Sequence, residues 1–399
     1  MKGSSVDFTY KLLDLKDFWE SLISIEASKE TVTNLVVPPT WSEQLDKLNR
    51  VRAVYGTTAL EGNPLSEAEV SAQMDQLDKG GIEGVLLRKI TKEQLQIRNA
   101  GQAQAWVRKK FYLKGPPLRL SDVLDLHRMI TQGSDVTNNV PGKFRTFPVT
   151  VGSQDLGGVH RGAPHEDVPR LVEEYIVFVN SPRLASEYPV VRALLAHFFL
   201  VTIHPFGDGN GRVSRLVEAA ILFKGGYNVL GFYGLSNYFY RNEARYKTLL
   251  QASRERQPFD VAQFIAFGLI GFAQELRGIN NFVKTKLNRV VYRDMLVRAF
   301  NKRTGTRRRL LNQREYNLLE FLLSETEPTD PFSENPSKQI DFGELREVPF
   351  IKAAYEGVTT RTFYRELIRL GGLGFIGFRK DETTGKFVLE LDFAAVGKY

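Results

Sequence analysis

Within twelve residues, His204-Pro205-Phe206-Gly207-Asp208-Gly209-Asn210-Gly211-Arg212 and then Arg215 supply an imidazole, a carboxylate, a glycine-rich turn and two guanidiniums. Together these suit a nucleoside triphosphate. A tight turn at a helix start leaves backbone N–H groups free to cradle phosphate oxygens. Asp208 is an oxygen ligand of the kind that holds a magnesium ion shared with substrate phosphates. Arg212 and Arg215 lie three apart on the helix that follows, so they share a face and reach the same phosphates. The imidazole of His204 can accept a proton from an attacking hydroxyl near neutral pH.

The flanking segments must hold these groups. Val191, Leu194, Leu195, Phe198 and Thr202 recur near a 3.6-residue period, which predicts a buried helix over 190–203. A second helix is expected over 213–224, closed by Gly225-Gly226. Phe206 is expected to point inward and fasten the loop. The context is therefore helix, tight loop, helix. It is not the strand–loop–helix of a phosphate-binding Walker loop, and no G-x-x-x-x-G-K-[ST] is present.

The stretch resembles the Fic motif, H-P-F-x-[DE]-G-N-G-R-x-x-R, with every fixed position filled. Fic enzymes transfer AMP from ATP to a hydroxyl side chain of another protein. The resemblance implies that His204 takes the proton of the target Ser, Thr or Tyr and that Asp208 holds Mg2+. Gly209, Asn210 and Gly211 would form an anion hole for the α- and β-phosphates, and Arg212 and Arg215 would bind the β- and γ-phosphates. Far upstream, Thr57-Thr58-Ala59-Leu60-Glu61-Gly62 is similar to the Fic inhibitory motif, [ST]-x-x-x-E-[GN]. In the family its Glu pairs with the second motif arginine, here Arg215, and misplaces ATP. Local patterning expects this helix over about 40–62, opened by a Thr40–Glu43 capping box after Pro39 and stopped by Gly62-Asn63-Pro64. Glu61 then sits at the helix C-terminus, where the macrodipole disfavours an anion unless a cation faces it.

Phe144 to Gly152 alternates as a strand does, and the resemblance places there a hairpin flap that aligns a target peptide by strand addition. Val151, Gly152, Ser153 and Gln154 would lie near the nucleotide. His160 and His165 are expected at the surface, not as metal ligands, and His127 as a structural helix residue. Arg245 to Leu250 resembles the helix that shapes the adenine pocket, with Tyr246 available to stack on the base. Relatives carry two tyrosines and a later asparagine there. This chain has Arg245 before Tyr246, and Ser253 at the asparagine position.

A chain of 399 residues without cysteine excludes disulfides and thiolate metal sites. No apolar run approaches the roughly 18 residues of a membrane span, and Met1 to Trp19 lacks the apolar core of a signal peptide. A cytoplasmic protein is expected. Charge is uneven: eleven Lys/Arg against Asp294 between 284 and 314 give net +10, while the chain totals +8. That segment reads equally as a nucleic-acid contact or as the solvated face of a connecting helix in which Phe282, Leu287, Val290, Val291 and Met295 form the apolar side.

Beyond it, helices are expected over 313–323, 342–354 (broken by Pro349) and 360–370, then a hairpin over 380–391 with its turn at 383–385. Pro328, Pro331 and Pro336 mark a loop between the first two helices. This order resembles a winged helix-turn-helix, with Phe363, Leu367 and Leu370 facing its core. Arg361, Arg365 and Arg369 would form an outer stripe that fits a DNA groove or a protein target. The expected fold is mostly α: a Fic-type helical core with a β-hairpin flap, plus a C-terminal winged-helix α+β domain. The expected divisions are 1–115 (N-terminal helices), 116–275 (catalytic core), 276–310 (basic connector) and 311–399 (winged helix). The activity implied is protein adenylyltransferase, autoinhibited by Glu61. The alternatives are AMP removal by water at the same site, and a DNA-binding regulator that senses ATP. Partners implied are ATP, a protein hydroxyl, the chain itself as a target, a second copy in a homodimer, and DNA or protein at the C-terminal unit, with no membrane.

Overall fold

A segment that is apolar on all sides can only sit at the centre of a helical fold, and residues 193–203 are buried without exception. The protein is built around them. The computed structural model describes residues 6–12, 18–34, 37–78, 90–113, 115–134, 136–156, 158–227, 235–255, 257–304, 308–328, 340–382 and 384–395. It is mostly helical and divides into two compact units, Met1–Arg277 and Gly278–Tyr399.

The first unit opens with strand β1 (Tyr10–Lys11) and helices α1 (Trp19–Asn34), α2 (Pro39–Ala59), α3 (Glu67–Asp78), α4 (Lys92–Phe111) and α5 (Leu120–Thr131). A two-stranded antiparallel hairpin follows, β2 (Thr150–Ser153) and β3 (Gly158–Arg161), with Thr150 opposite Arg161 and Ser153 opposite Gly158. Helices α6 (Val168–Val179), α7 (Pro182–Ala185), α8 (Pro189–Ile203), α9 (Asn210–Lys224), α10 (Ser236–Arg241) and α11 (Glu243–Ala252) complete the core. Strand β4 (Phe259–Asp260) pairs in parallel with β1. Helix α8 packs on α9, and α9 is covered by α4, α5 and α2. Helix α2 in turn lies on α10 so closely that a Cβ on Gly56 would fall 2.6 Å from the Asn237 backbone.

The long helix α12 (Ala262–Asn301) contains the division between the units. The second unit adds the ribbon β5 (Arg303–Thr304) and β6 (Arg308–Arg309), helix α13 (Gln313–Glu325), strand β7 (Ile340–Asp341), helices α14 (Pro349–Ala354) and α15 (Thr360–Leu373), and strands β8 (Ile376–Lys380) and β9 (Phe387–Leu391). Its antiparallel sheet has the order β7-β9-β8. Phe363, Leu367 and Leu370 are fully buried in its core.

Several local expectations are corrected. Helix α2 begins at Pro39 with no side-chain cap, so the Thr40–Glu43 capping box does not form; Pro supplies the helix start through its fixed φ. Residues 144–149 are not strand, and the flap strand starts at Thr150. Helix α9 starts at Asn210, inside the motif. Pro349 opens α14 rather than breaking a longer helix. Val290 and Val291 face solvent, and the apolar stripe of this stretch of α12 runs instead through Phe282, Val283, Tyr292, Met295, Leu296 and Ala299.

The basic stretch is partly structural. Lys286 and Arg289 are buried; Lys286 pairs with Glu327 at 2.8 Å, and Arg289 donates to the Leu323 carbonyl and to Thr326 Oγ1. These are the orphan carbonyl end and the cap of α13, where a cation is favoured. Arg369 does not belong to a free stripe: it pairs with the buried Glu315 and donates to the Leu310 carbonyl, leaving Arg361 and Arg365 exposed on α15. Arg307, Pro331, Pro336 and Thr383 lie outside the described residues.

The close approach of α2 to α10 makes Gly56 a sensitive position. Gly56→Ala should destabilise the protein by about 1–3 kcal/mol, the usual cost of overpacking, read as a lowered midpoint in urea unfolding. An unchanged midpoint would mean that α2 is free to shift.

Candidate active site

His204 ends helix α8 in the left-handed region, φ 53° and ψ 61°. A non-glycine residue there is strained and must be held by its surroundings. The holding group is Arg145, buried on the otherwise irregular segment before the flap. Its Nε donates to the His204 carbonyl at 2.7 Å, and its other nitrogens to the carbonyls of Phe147 (2.8 Å) and Ala163. One planar fork thus ties the flap base, the strand exit and the loop after α8 together. The His204 ring turns Nδ1 toward the Val201 carbonyl at 3.3 Å, so Nδ1 carries the proton and Nε2 is left as the acceptor. Burial pushes the imidazole down to about 4, and Arg254 and Arg145 act in the same direction. The ring is therefore neutral, in the base form, at neutral pH.

The turn that follows is locked by its own side chains. Asn210 Oδ1 accepts from the Phe206 N–H and its Nδ2 donates to the Phe206 carbonyl, both at 2.9 Å. Asn210 therefore offers its backbone, not its amide, to any ligand. Phe206 is buried and stacks on His127 at 3.7 Å. His127 accepts from the Gly142 N–H at Nδ1, so its Nε2–H donates to the Asp208 carbonyl at 3.1 Å. This buried helix histidine positions the loop carrying Asp208. Gly209, at φ 82°, makes the left-handed step into α9.

Asp208 and Arg212 pair at 2.7 Å. Arg215, with only 3% of its side chain exposed, is held on three sides: Nε to Thr57 Oγ1 (2.8 Å), and Nη2 to the Thr57 carbonyl (3.1 Å) and to Glu61 Oε1 (2.7 Å). Thr57 and Glu61 are both brought by α2 and the turn that ends it. Burial alone would raise the Glu61 carboxyl, but Arg215 and Arg212 outweigh it and hold it below the usual range. The carboxylate lies against Gly211, where any Cβ would collide with Oε1.

These groups border a cavity of about 420 Å³, lined by Glu61, Gly211, Arg215 and His204 on one side and by the flap residues Val151, Gly152 and Ser153 on another. Its third wall is one face of α11: Tyr246, Lys247, Leu250 and Gln251, continued by Arg254. Gln154 opens the short turn between the flap strands and does not line the cavity. Tyr246 is 4% exposed and stacks on Phe239 at 4.5 Å. Its hydroxyl meets His197 Nε2 at 2.9 Å, and His197 Nδ1 meets Glu218 at 2.7 Å. Sequence reading missed Arg145, Arg254 and this buried relay. A histidine inside an apolar helix and a glutamate on the next helix were the available signals.

His160 is not a surface residue. Its ring contacts the Thr202 carbonyl at 2.8 Å, and burial pushes it down to about 3. His165 stays partly exposed beside Glu166. Among the described residues no three His, Cys, Asp or Glu side chains cluster as a metal cage.

The arrangement has known counterparts. The fold is that of Fic proteins: a Fic family protein from Desulfovibrio desulfuricans G20 aligns over 93% of this chain and 95% of its own, with TM-score 0.51 and 18% identity. Residues 134–508 of Fic-1 from C. elegans align over 68% of this chain and 74% of that structure, with TM-score 0.55 and 22% identity. Residues 117–222 match the Fic/DOC family model, so the chain carries a Fic/DOC-family domain. The curated "Protein adenylyltransferase Fic" of Aedes aegypti is 29% identical over 185 residues, 46% of this chain and 34% of that protein. The protein of the same name from Drosophila ananassae is 32% identical over 174 residues, 44% and 32% of the two chains. The chain thus spans about a third of the length of these curated relatives.

Arg145 carries more than one element, which makes it testable without activity. Arg145→Ala would leave the buried carbonyls it serves without donors, at about 1–3 kcal/mol for each unsatisfied group. The urea midpoint should fall clearly; an unaltered midpoint would show that the loop holds itself.

Proposed function

We propose that this chain is a protein adenylyltransferase held in check by Glu61. The observation that carries the reading is the place of the Glu61 carboxylate: it lies on Gly211 and Arg215, at the mouth of the helix N-terminus where phosphates would bind. A carboxylate in an anion site competes with the anion.

In the reaction proposed, the oxygen of a Ser, Thr or Tyr side chain of a protein attacks the α-phosphorus of ATP. The new P–O bond forms in line as the bond to the bridging oxygen breaks, and pyrophosphate leaves. Nε2 of His204 accepts the hydroxyl proton, for which the neutral tautomer with its proton on Nδ1 leaves it free. The backbone at Gly209–Gly211 and the Arg212 and Arg215 guanidiniums orient the phosphates and offset their charge. Mg2+, when bound, supplies further neutralisation of the phosphates. A single partly exposed carboxylate, Asp208, is compatible with an ion that is held mainly by substrate oxygens. Asp208 would then exchange Arg212 for the metal, freeing Arg212 for the phosphates. The flap edge would receive the target segment by strand pairing.

The remaining chain is read as follows. The α1–α4 region carries the brake, and the unit after Gly278 is a winged-helix partner-binding domain. Arg361 and Arg365, not Arg369, are the cations it offers to a protein or to DNA. ATP, a target protein, self-modification, a homodimer and a cytoplasmic setting complete the proposal. No helix among the described residues is long and apolar enough to cross a membrane.

Three variants test the assignment in a transfer assay with labelled ATP. Glu61→Gly should raise modification sharply over the parent chain. In that background His204→Ala should lose about a hundred- to ten-thousand-fold in rate, the worth of a general base, with nucleotide still bound. Asp208→Ala should remove the magnesium dependence together with the activity. Near-normal transfer by the His204 variant would end the assignment of the base.

A further inference from the structure

Among the described residues three cations line the cavity, and two of them have a carboxylate of their own: Arg215 faces Glu61 and Lys247 faces Glu243. Arg254 forms no ion pair among the described residues. It lies two residues past the end of α11 and continues the wall set by Tyr246, Lys247, Leu250 and Gln251. Its Nε donates to Thr202 Oγ1 at 3.0 Å, which pins it to the last turn of α8, two residues before His204. The guanidinium is partly withdrawn from water at the cavity wall, and this desolvation pushes it down to about 10, still well above neutral pH.

We infer that Arg254 is a third substrate-binding cation of this site and takes the oxygens of the phosphoryl group that reacts, the α-phosphate of the nucleotide. The inference rests on the adenylyltransferase reading and adds a residue to it that lies outside the motif. Position selects the α-phosphate. Arg254 and His204 line the same cavity, and Arg254 is bonded to Thr202, two residues before His204; the phosphorus attacked must sit beside the base. The β- and γ-phosphates belong instead to the Gly211 and Arg215 end. The planar fork can hold a phosphoryl oxygen while Nε keeps Thr202. As the hydroxyl oxygen bonds to phosphorus, charge builds on the non-bridging oxygens, and a fixed guanidinium there lowers the barrier.

The same charge tunes the base. His204 is faced by Arg254 from the end of α11, by Arg145 from the segment before the flap, by Glu61 from the turn after α2, and by the Val201 carbonyl of its own helix; His160 lies nearby on β3. Two of these are permanent cations. Removing one should raise the affinity of His204 for protons and move the acid limb of activity to higher pH.

The test uses the full chain with Glu61→Gly, compared with the same chain carrying Arg254→Gln, which keeps a donor for Thr202 but not the charge. Calorimetry compares AMP with adenosine, which differ only in the α-phosphate. We expect AMP to bind about tenfold more weakly to the Arg254→Gln chain, with adenosine unchanged. Single-turnover transfer should fall about a hundredfold, and the His204 ring titration followed by NMR should move up. Arg254→Lys, which keeps the charge, should recover part of the AMP affinity. Equal losses for AMP and adenosine, or no loss for either, would overturn the inference. If Arg254→Gln does not fold by circular dichroism, Arg254→Met, which keeps the buried stem, is read by the same comparison. If Glu61→Gly transfers no AMP at all, the proposed activity fails, while the AMP and adenosine affinities still decide the role of Arg254.

Discussion

A buried guanidinium needs a partner, and the site is organised around how Arg215 gets one. It lies on α9, one turn past the glycine-rich turn, and nearly all of it is withdrawn from water. Left alone it would be costly; the loss of one member of a buried pair typically destabilises by about 3–5 kcal/mol. Thr57 and Glu61 satisfy it, the first on α2 and the second on the turn that ends α2. The pair therefore joins the stability of the N-terminal helices to the state of the candidate site. A phosphate bound there would replace Glu61 as the partner of Arg215, but only if the turn after α2 gave way. On the proposed reading this makes the brake an equilibrium between two anions for one cation. Glu61 also sits at a helix C-terminus, where the macrodipole works against it, so its hold depends on the arginines.

The second constraint is the strained backbone at His204. Its left-handed conformation turns the ring back toward Val201 and leaves Nε2 free to act as the acceptor. Arg145 holds that conformation through carbonyls, not carboxylates, so its charge remains to keep the imidazole neutral. His127 and Asn210 fix the rest of the loop through Phe206 and the Asp208 carbonyl. The motif is thus rigid before any ligand arrives, as catalysis by positioning requires.

The motif and the apolar helix before it were legible because both are local. A 3.6-residue period marks α8, and nine contiguous residues carry the loop chemistry. Residue types also pointed to a pairing of Glu61 with Arg215 across 154 positions, but only through resemblance; nothing in the local sequence specifies that distance. The remainder was hidden for one physical reason, which is that it depends on tertiary contacts. Arg145 looks like an ordinary surface arginine until the fold buries it, and Arg254 does so until the fold sets it in the cavity wall. Arg369, Lys286 and Arg289 look like a free basic face until Glu315, Glu327 and the end of α13 claim them. The stretch 144–149 alternates like a strand, yet the Arg145 side chain takes up the carbonyls around it and the hairpin pairs only from Thr150. Pro349 reads as a break and serves as a helix start, and Pro39, expected just before its helix, is the first residue of it.

On the proposed reading, the Glu61 carboxylate occupies the place of a nucleotide phosphate. The most direct measurement is the equilibrium affinity of a non-hydrolysable ATP analogue for the parent chain and for Glu61→Gln, which keeps the shape of the side chain and removes its charge. The account predicts binding at least about tenfold tighter to the Glu61→Gln chain, equivalent to about 1.4 kcal/mol. Equal affinity for the two chains would contradict it.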